Sequence, residues 1–165
     1  MAVAATYSTE ATNHKSVENT KNPTTATEGG NKVSSATVAV AAADDNDSLY
    51  YILPIRSSWS IKHIWVYNDA ITAGTDYNFG LYSTAATPVV ASENVYADAV
   101  DLSSARTSAP IDLAFQARNI TGVNNKVWQD LSLSADSNVW YWLTAKGVAV
   151  GSAAGDITLV VEYTE

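Results

Sequence analysis

Cysteine is absent from this chain of 165 residues. Its absence excludes disulfide frameworks, thiolate zinc sites and cysteine nucleophiles. The length fits one ordinary domain, which buries about 70% of the surface that its unfolded form exposes. We therefore expect a single core that is stable without a disulfide or a structural metal.

Basic residues are also scarce, because 9 Lys and Arg stand against 17 Asp and Glu, for a net charge of -8. Nucleic-acid binding depends on cationic side chains that neutralise phosphates, so we expect no nucleic-acid partner. No run of apolar residues approaches the length of a membrane-spanning helix, and we expect no membrane partner. Charged residues make up only 16% of the chain, which predicts a largely neutral, polar surface.

The charge is distributed unevenly and divides the chain into two parts. Residues 1–32 are neutral overall, so residues 33–165 carry the whole net charge. The first part is rich in Thr, Asn and Ala and holds too few large apolar residues to fold alone. We predict that residues 1–32 are an extended N-terminal arm, disordered or ordered on binding, with Tyr7 and Val17 as partner-binding residues. A terminus without a function is the alternative.

The body, residues 33–165, has the alternating apolar pattern of short β-strands. This pattern is clearest over residues 111–116 and 157–163 and is also present over 35–43, and residues 138–146 form a further predicted strand. Seven to nine strands with frequent turns predict an all-β fold, an antiparallel β-sandwich of the jelly-roll type. Residues 127, 128 and 131 have helical spacing after Asn125, which predicts one short helix capped by that side chain.

Few residues could support catalysis, because the chain has only two histidines, His14 and His63. The motifs of nucleophilic, phosphate-binding and zinc-protease sites are missing. We predict that the protein is not an enzyme and binds no cofactor. A hydrolase with two convergent carboxylates stays open, because such a pair can come from distant strands.

The acidic turn at residues 43–48 is a weak candidate for a metal site. Asp44, Asn46 and Ser48 offer oxygens at alternate positions, as in the first half of a calcium loop. The glutamate that closes such a loop is replaced by Ile55. Asp and Asn also stabilise turns without a metal, so we predict that no metal is bound here.

Two tryptophans, Trp140 and Trp142, lie on the same face of a predicted strand whose other face is also apolar. A strand that is apolar on both faces needs cover on its outer side. That cover could be a neighbouring subunit, the arm, the short helix, or a sugar stacked on an exposed indole. We predict that Trp140 and Trp142 bind a partner, with carbohydrate as the alternative ligand.

Three stretches, residues 35–82, 126–136 and 150–163, together resemble small virion proteins of tailed bacteriophages. The resemblance rests on three segments. They are the acidic turn before an aromatic strand, the segment from Asn68 to Thr72 that leads to Gly80, Leu81 and Tyr82, and the segment from Trp128 to Asp136. These proteins are similar to head decoration or cement proteins. No individual contact residue carries over.

The resemblance implies a β-sandwich with an N-terminal arm, a homotrimer that binds the major capsid protein and stabilises the head. It implies a location on the capsid surface of the virion. The alternative is a carbohydrate- or receptor-binding module, including one associated with the phage tail.

Overall fold

In a computed structural model, the protein is a sandwich of two β-sheets. The structure describes residues 3, 5–7, 12, 31–71, 75–149 and 153–165. Within these ranges the strands are β1 (Ala5–Tyr7), β2 (Lys32–Val40), β3 (Leu49–Arg56), β4 (Ser60–Asn68), β5 (Asp76–Ser83), β6 (Val90–Asp101), β7 (Ile111–Asp112), β8 (Trp140–Ala149) and β9 (Gly155–Thr164). A 3-10 turn (Ile120–Gly122) and helix α1 (Val127–Asp130) lie between β7 and β8.

The order of the strands confirms the predicted all-β sandwich and has the jelly-roll pattern. Sheet I has the order β2-β9-β4-β7, and sheet II has the order β1-β3-β8-β5-β6. From β2 to β9 the chain crosses between the sheets at every step except the one from β5 to β6. All pairings between these eight strands are antiparallel, whereas β1 pairs in parallel with β3.

The core forms between the sheets from side chains that alternate along each strand. Every second residue of β2, β9 and β5 points inward, as the sequence pattern predicts. The inward side chains include Val38, Leu159 and Phe79, and each is at most 2% exposed. Trp59 closes one end of the core by stacking on Tyr163, with 3.8 Å between the ring centroids.

The prediction of a strand over residues 111–116 is correct for Ile111 and Asp112 and wrong for the residues after them. The carboxylate of Asp112 accepts a hydrogen bond from the backbone of Ala114 at 3.0 Å, which turns the chain. Asp competes for local backbone donors in this way and so ends strands. Leu113 and Ala114 are nevertheless fully buried, so the alternating pattern reflects burial in a turn.

The short helix is confirmed as α1, but its cap differs from the prediction. Lys126, not Asn125, is the N-cap residue. The Gln129 side chain accepts the Lys126 backbone N–H at 2.8 Å and closes the first turn. Strand β6 is long, and its register against β5 is interrupted three times.

Several tyrosines are buried, and their burial makes the free energy of unfolding depend on pH in the alkaline range. Burial raises the pKa of Tyr51 and Tyr77 to about 12, whereas tyrosines of an unfolded chain titrate near 10. Above pH 10 the unfolded chain therefore loses protons that the folded chain keeps. The free energy of unfolding falls from about pH 10 to about pH 12, by about 1.4 kcal/mol per pH unit for each fully retained proton.

We expect urea denaturation between pH 8 and pH 11.5 to show this loss of stability. The control variant is Tyr77→Phe, which removes one of the titrating groups and reduces the slope above pH 10. A free energy of unfolding that stays constant from pH 9 to pH 11.5 would contradict the prediction.

Candidate functional site

The acidic turn is held by contacts within the protein. The Asp44 carboxylate accepts the hydroxyl of Tyr50 at 2.7 Å and the backbone N–H of Ala41 at 3.2 Å. Asp47 has a positive φ of 68° and pairs with Lys146 at 2.8 Å. Ser48 is fully buried. These contacts give the turn a structural role.

Across the described ranges, no group of three or more His, Asp or Glu side chains could hold a metal ion. The weak candidate set of Asp44, Asn46 and Ser48 accordingly has one carboxylate, and that carboxylate already accepts two hydrogen bonds. None of the helices found in those ranges has the length and apolar character of a membrane span.

Sheet II carries a second apolar cluster on its outer face, separate from the main core. We call it the aromatic socket, and it consists of Tyr51, Tyr82 and Trp142, with Leu49 packed against them. Trp142 is completely buried, and Tyr51 and Tyr82 are at most 5% exposed. A sheet face that points away from the core reaches this burial only under a cover.

The cover includes Tyr7, from the segment predicted to be an arm. Its ring stacks on Tyr51 with centroids 4.5 Å apart and meets Trp142 edge-on at 6.0 Å. Strand β1 places it there by pairing with Leu49–Tyr51 along the edge of β3. The predicted division at residue 32 and the partner-binding role of Tyr7 stay predictions, and Val17 lies outside the described residues.

The two tryptophans predicted to share one face lie in different environments. Trp142 belongs to the aromatic socket. Trp140 packs edge-on against Trp59 at the end of the main core, with centroids 5.4 Å apart, and the Arg56 guanidinium lies 5.5 Å from its ring. Both indoles have partners within the chain, and their predicted contact with another molecule stays a prediction.

An ion cluster borders the socket. The Lys146 ammonium is 2.8 Å from both Asp47 and Glu93, and these two carboxylates hold the pKa of Lys146 above its usual value. Burial, reinforced by Glu93, raises the pKa of Tyr82. The cluster ties the acidic turn to β6 and β8 beside the socket.

Replacement of Tyr7 by alanine tests how much this cover stabilises the fold. Tyr7→Ala removes the stacked ring from Tyr51 and opens Trp142 to water. We expect the free energy of unfolding to fall by about 1–3 kcal/mol, the scale for burying an aromatic side chain in part. Urea denaturation measures the loss. The control is Val3→Ala, because Val3 is 64% exposed, and equal stability of both variants would contradict the prediction.

On the outer face of sheet I, two cross-strand rows carry no charge across β2, β9 and β4, and the first of them ends at Asp112 in β7. Register places Val160 between Ser35 and Trp65, and places Thr158 between Thr37 and Tyr67. The Thr37 and Thr158 hydroxyls are hydrogen-bonded at 2.7 Å. We call these six residues the neutral face. It spans three strands, and all six side chains are partly or fully exposed.

Charged groups lie at the margins of the neutral face. At one end, Glu162 pairs in register with Val33 and with His63. The His63 ring stacks on Trp65 at 4.7 Å, and its Nδ1 is 2.6 Å from the Asp112 carboxylate. At the other end, Tyr67, Asp69 and Asp156 line a shallow groove with a volume of about 270 Å³.

Sequence reasoning missed the neutral face. Ser, Thr and Val at alternate positions of β2 and β9 are visible in the sequence, but the register that aligns them with Trp65 and Tyr67 is not.

Comparison with known proteins gave a structural neighbour and no sequence relative. No family model matches the chain, and no curated protein matches it. Among solved structures, the chain is similar to one titled "Cyanophage Pam1 capsid asymmetric unit", with a TM-score of 0.47 and 15% sequence identity. The match covers 90% of this chain and 96% of that chain.

Proposed function

We propose that this protein is a non-enzymatic virion protein of a tailed bacteriophage that binds the capsid lattice and stabilises the head. The partner is the major capsid protein, and the location is the outer surface of the capsid. The proposal includes the homotrimer that the sequence resemblance implies. Weak contacts repeated around a symmetric lattice become collectively strong.

The observation that carries the proposal is the neutral face. The centres of protein–protein interfaces are depleted in charge and enriched in aromatic residues. The neutral face has this composition, with Trp65 and Tyr67 beside Thr, Ser and Val, in a chain whose net charge is -8. A solvent-exposed face of this composition fits burial against a partner protein.

Charge placed on the neutral face tests whether it meets the lattice. We expect Thr37→Lys and Val160→Glu to weaken co-sedimentation with capsid particles that lack this protein. The matched control is Ala86→Glu in the exposed loop between β5 and β6, which changes charge away from the face. Retained binding by both face variants, with their folding confirmed by circular dichroism, would contradict the assignment of this face.

The broader proposal is tested by counting copies of the chain in purified particles by quantitative mass spectrometry. A simple ratio to the major capsid protein, such as one trimer for each local three-fold position, supports a role in coating the head. A few copies per particle would place the protein on the tail instead. Its absence from particles would overturn the proposal and favour the carbohydrate-binding alternative.

A further inference from the structure

We propose that the aromatic socket is an exchange site between copies of this chain: β1 of one copy docks on β3 of a neighbouring copy. The occupant is a second copy's N-terminal strand, with its Tyr7 on Tyr51 and Trp142. This inference concerns contacts of the protein with itself and does not depend on the proposed function.

The first observation is the length of chain between β1 and β2. Residues 8–31 separate Tyr7 from Lys32, and yet β1 and β2 contact each other. A connection of about 12–15 residues is already long for elements of one domain. An extended chain of this length reaches about 80 Å at 3.3 Å per residue, which exceeds the breadth of a body of this size. The sequence therefore supplies more chain than docking within one copy requires.

The second observation is that the socket and its occupant form a separable unit. Strand β1 has only three residues, and its described ring contacts are those of Tyr7 with Tyr51 and Trp142. The socket lies on the outer face of sheet II, apart from the main core. Withdrawal of β1 thus leaves the core between the sheets intact.

The third observation is that an empty socket is unfavourable. It exposes Tyr51 and Trp142 and leaves the β3 edge unpaired next to Leu49–Tyr51. Exposed apolar patches and open sheet edges both favour association. The three residues of β1 cover the socket and pair with the edge of β3 whether they come from the same chain or from another copy. Exchange therefore joins two copies at little cost, which is the basis of domain swapping.

Engineered cysteines test the exchange cleanly, because the natural chain has none. Ala5 and Leu49 are direct register partners in the parallel pair of β1 and β3. Full-length Ala5→Cys and Leu49→Cys chains with tags of different size are mixed, unfolded in urea, refolded together at high protein concentration and oxidised. The exchange predicts a disulfide-linked heterodimer on a non-reducing gel, in up to half of the sockets that carry Leu49→Cys when the two chains are mixed in equal amounts.

The double variant Ala5→Cys/Leu49→Cys shows that these positions can be linked, because docking within one copy gives a cross-linked monomer. Under exchange it gives covalent oligomers, and the largest closed species counts the copies in the assembly. The matched control pairs Ala5→Cys with Ala86→Cys, since Ala86 lies exposed in the loop between β5 and β6, at the opposite edge of sheet II from β1. That pair should give no more heterodimer than random collision produces.

A double variant that is entirely a cross-linked monomer, together with a mixture that forms no heterodimer above the control, overturns the inference. This result would stand even if the chain associates through another surface. It would leave the proposed function untouched, because that function is tested on the neutral face and by copy number in particles.

Discussion

Replacement of Arg118 by methionine is expected to lower the free energy of unfolding by about 3–5 kcal/mol, the scale for breaking a buried ion pair. Arg118 is 2.8 Å from the Asp130 carboxylate, and the two side chains are 6% and 1% exposed. The guanidinium also donates to the backbone carbonyls of Ile61 and Ala114. Its removal leaves the Asp130 carboxylate and two carbonyl oxygens without this donor.

The position of Arg118 explains why the loss should be large. Its guanidinium lies 4.4 Å from the Phe115 ring centroid and 5.6 Å from that of Tyr96. It thereby joins the turn after β7, strand β4 and helix α1 at one end of the core. Urea denaturation measures the change, and the double variant Arg118→Met/Asp130→Leu should recover part of it because neither charge then remains buried alone.

The matched control is the more exposed ion pair of Lys32 and Glu165, whose charged groups are 2.6 Å apart and whose side chains are 21% and 53% exposed. Exposed pairs of this kind contribute about 0–1 kcal/mol, so Lys32→Met should leave stability almost unchanged. If Arg118→Met and Lys32→Met destabilise the fold equally, the role assigned to Arg118 is wrong.

Replacement of Gly80 by alanine is expected to cost at least as much as typical overpacking, about 1–3 kcal/mol, and to disturb the pairing of β5 with β6. A Cβ at this position would lie 2.2 Å from the carbonyl oxygens of both Ser92 and Glu93. These are backbone atoms, so a change of side-chain rotamer cannot relieve the clash. The ladder must shift locally to admit the methyl group.

The register of β6 accounts for this close approach. Leu81 pairs with Ser92 and Phe79 with Ala97, so several extra residues of β6 bulge over Gly80. Bulges of this kind bring backbone close to backbone and select glycine. The control is Gly155→Ala, where the added Cβ would lie 3.0 Å from Ile71 Cγ1 and 3.1 Å from Asp69 Cβ, which are side-chain atoms at longer distances than the backbone atoms around Gly80. Equal stability of the two variants would contradict the explanation.

Much of the fold could be predicted from the sequence, because the alternation of apolar and polar residues along a strand indicates which side chains are buried. Residues 36, 38 and 40 and residues 157, 159 and 161 were expected to face the core, and they do. The same reasoning wrongly assigned residues 113–116 to a strand, because a buried turn and a buried strand both require apolar side chains. The hydrogen bonds of a turn distinguish them: the Ala114 backbone N–H donates to the Asp112 carboxylate, and the Gln116 backbone N–H donates to the Leu113 carbonyl.

The candidate interaction surfaces were less accessible to sequence reasoning. The need for a cover over Trp142 was foreseen, and the arm was one of its suggested sources. The neutral face was not foreseen, because it depends on the pairing of β9 with β2 and β4, strands that are far apart in the chain. Likewise, nothing in the sequence around Arg118 marks it as a buried residue that contacts three elements.

By itself, the sequence determined what depends on composition and local periodicity: an all-β body, a neutral N-terminal segment, and a chain without thiols. Only the tertiary structure decided which strands are neighbours and therefore which surfaces exist. The alternation of apolar and polar residues predicts which side chains are buried. It does not predict which residues they pack against, because strand pairing joins residues that are distant in sequence. The aromatic socket, the neutral face and the Arg118–Asp130 pair all arise from such long-range contacts.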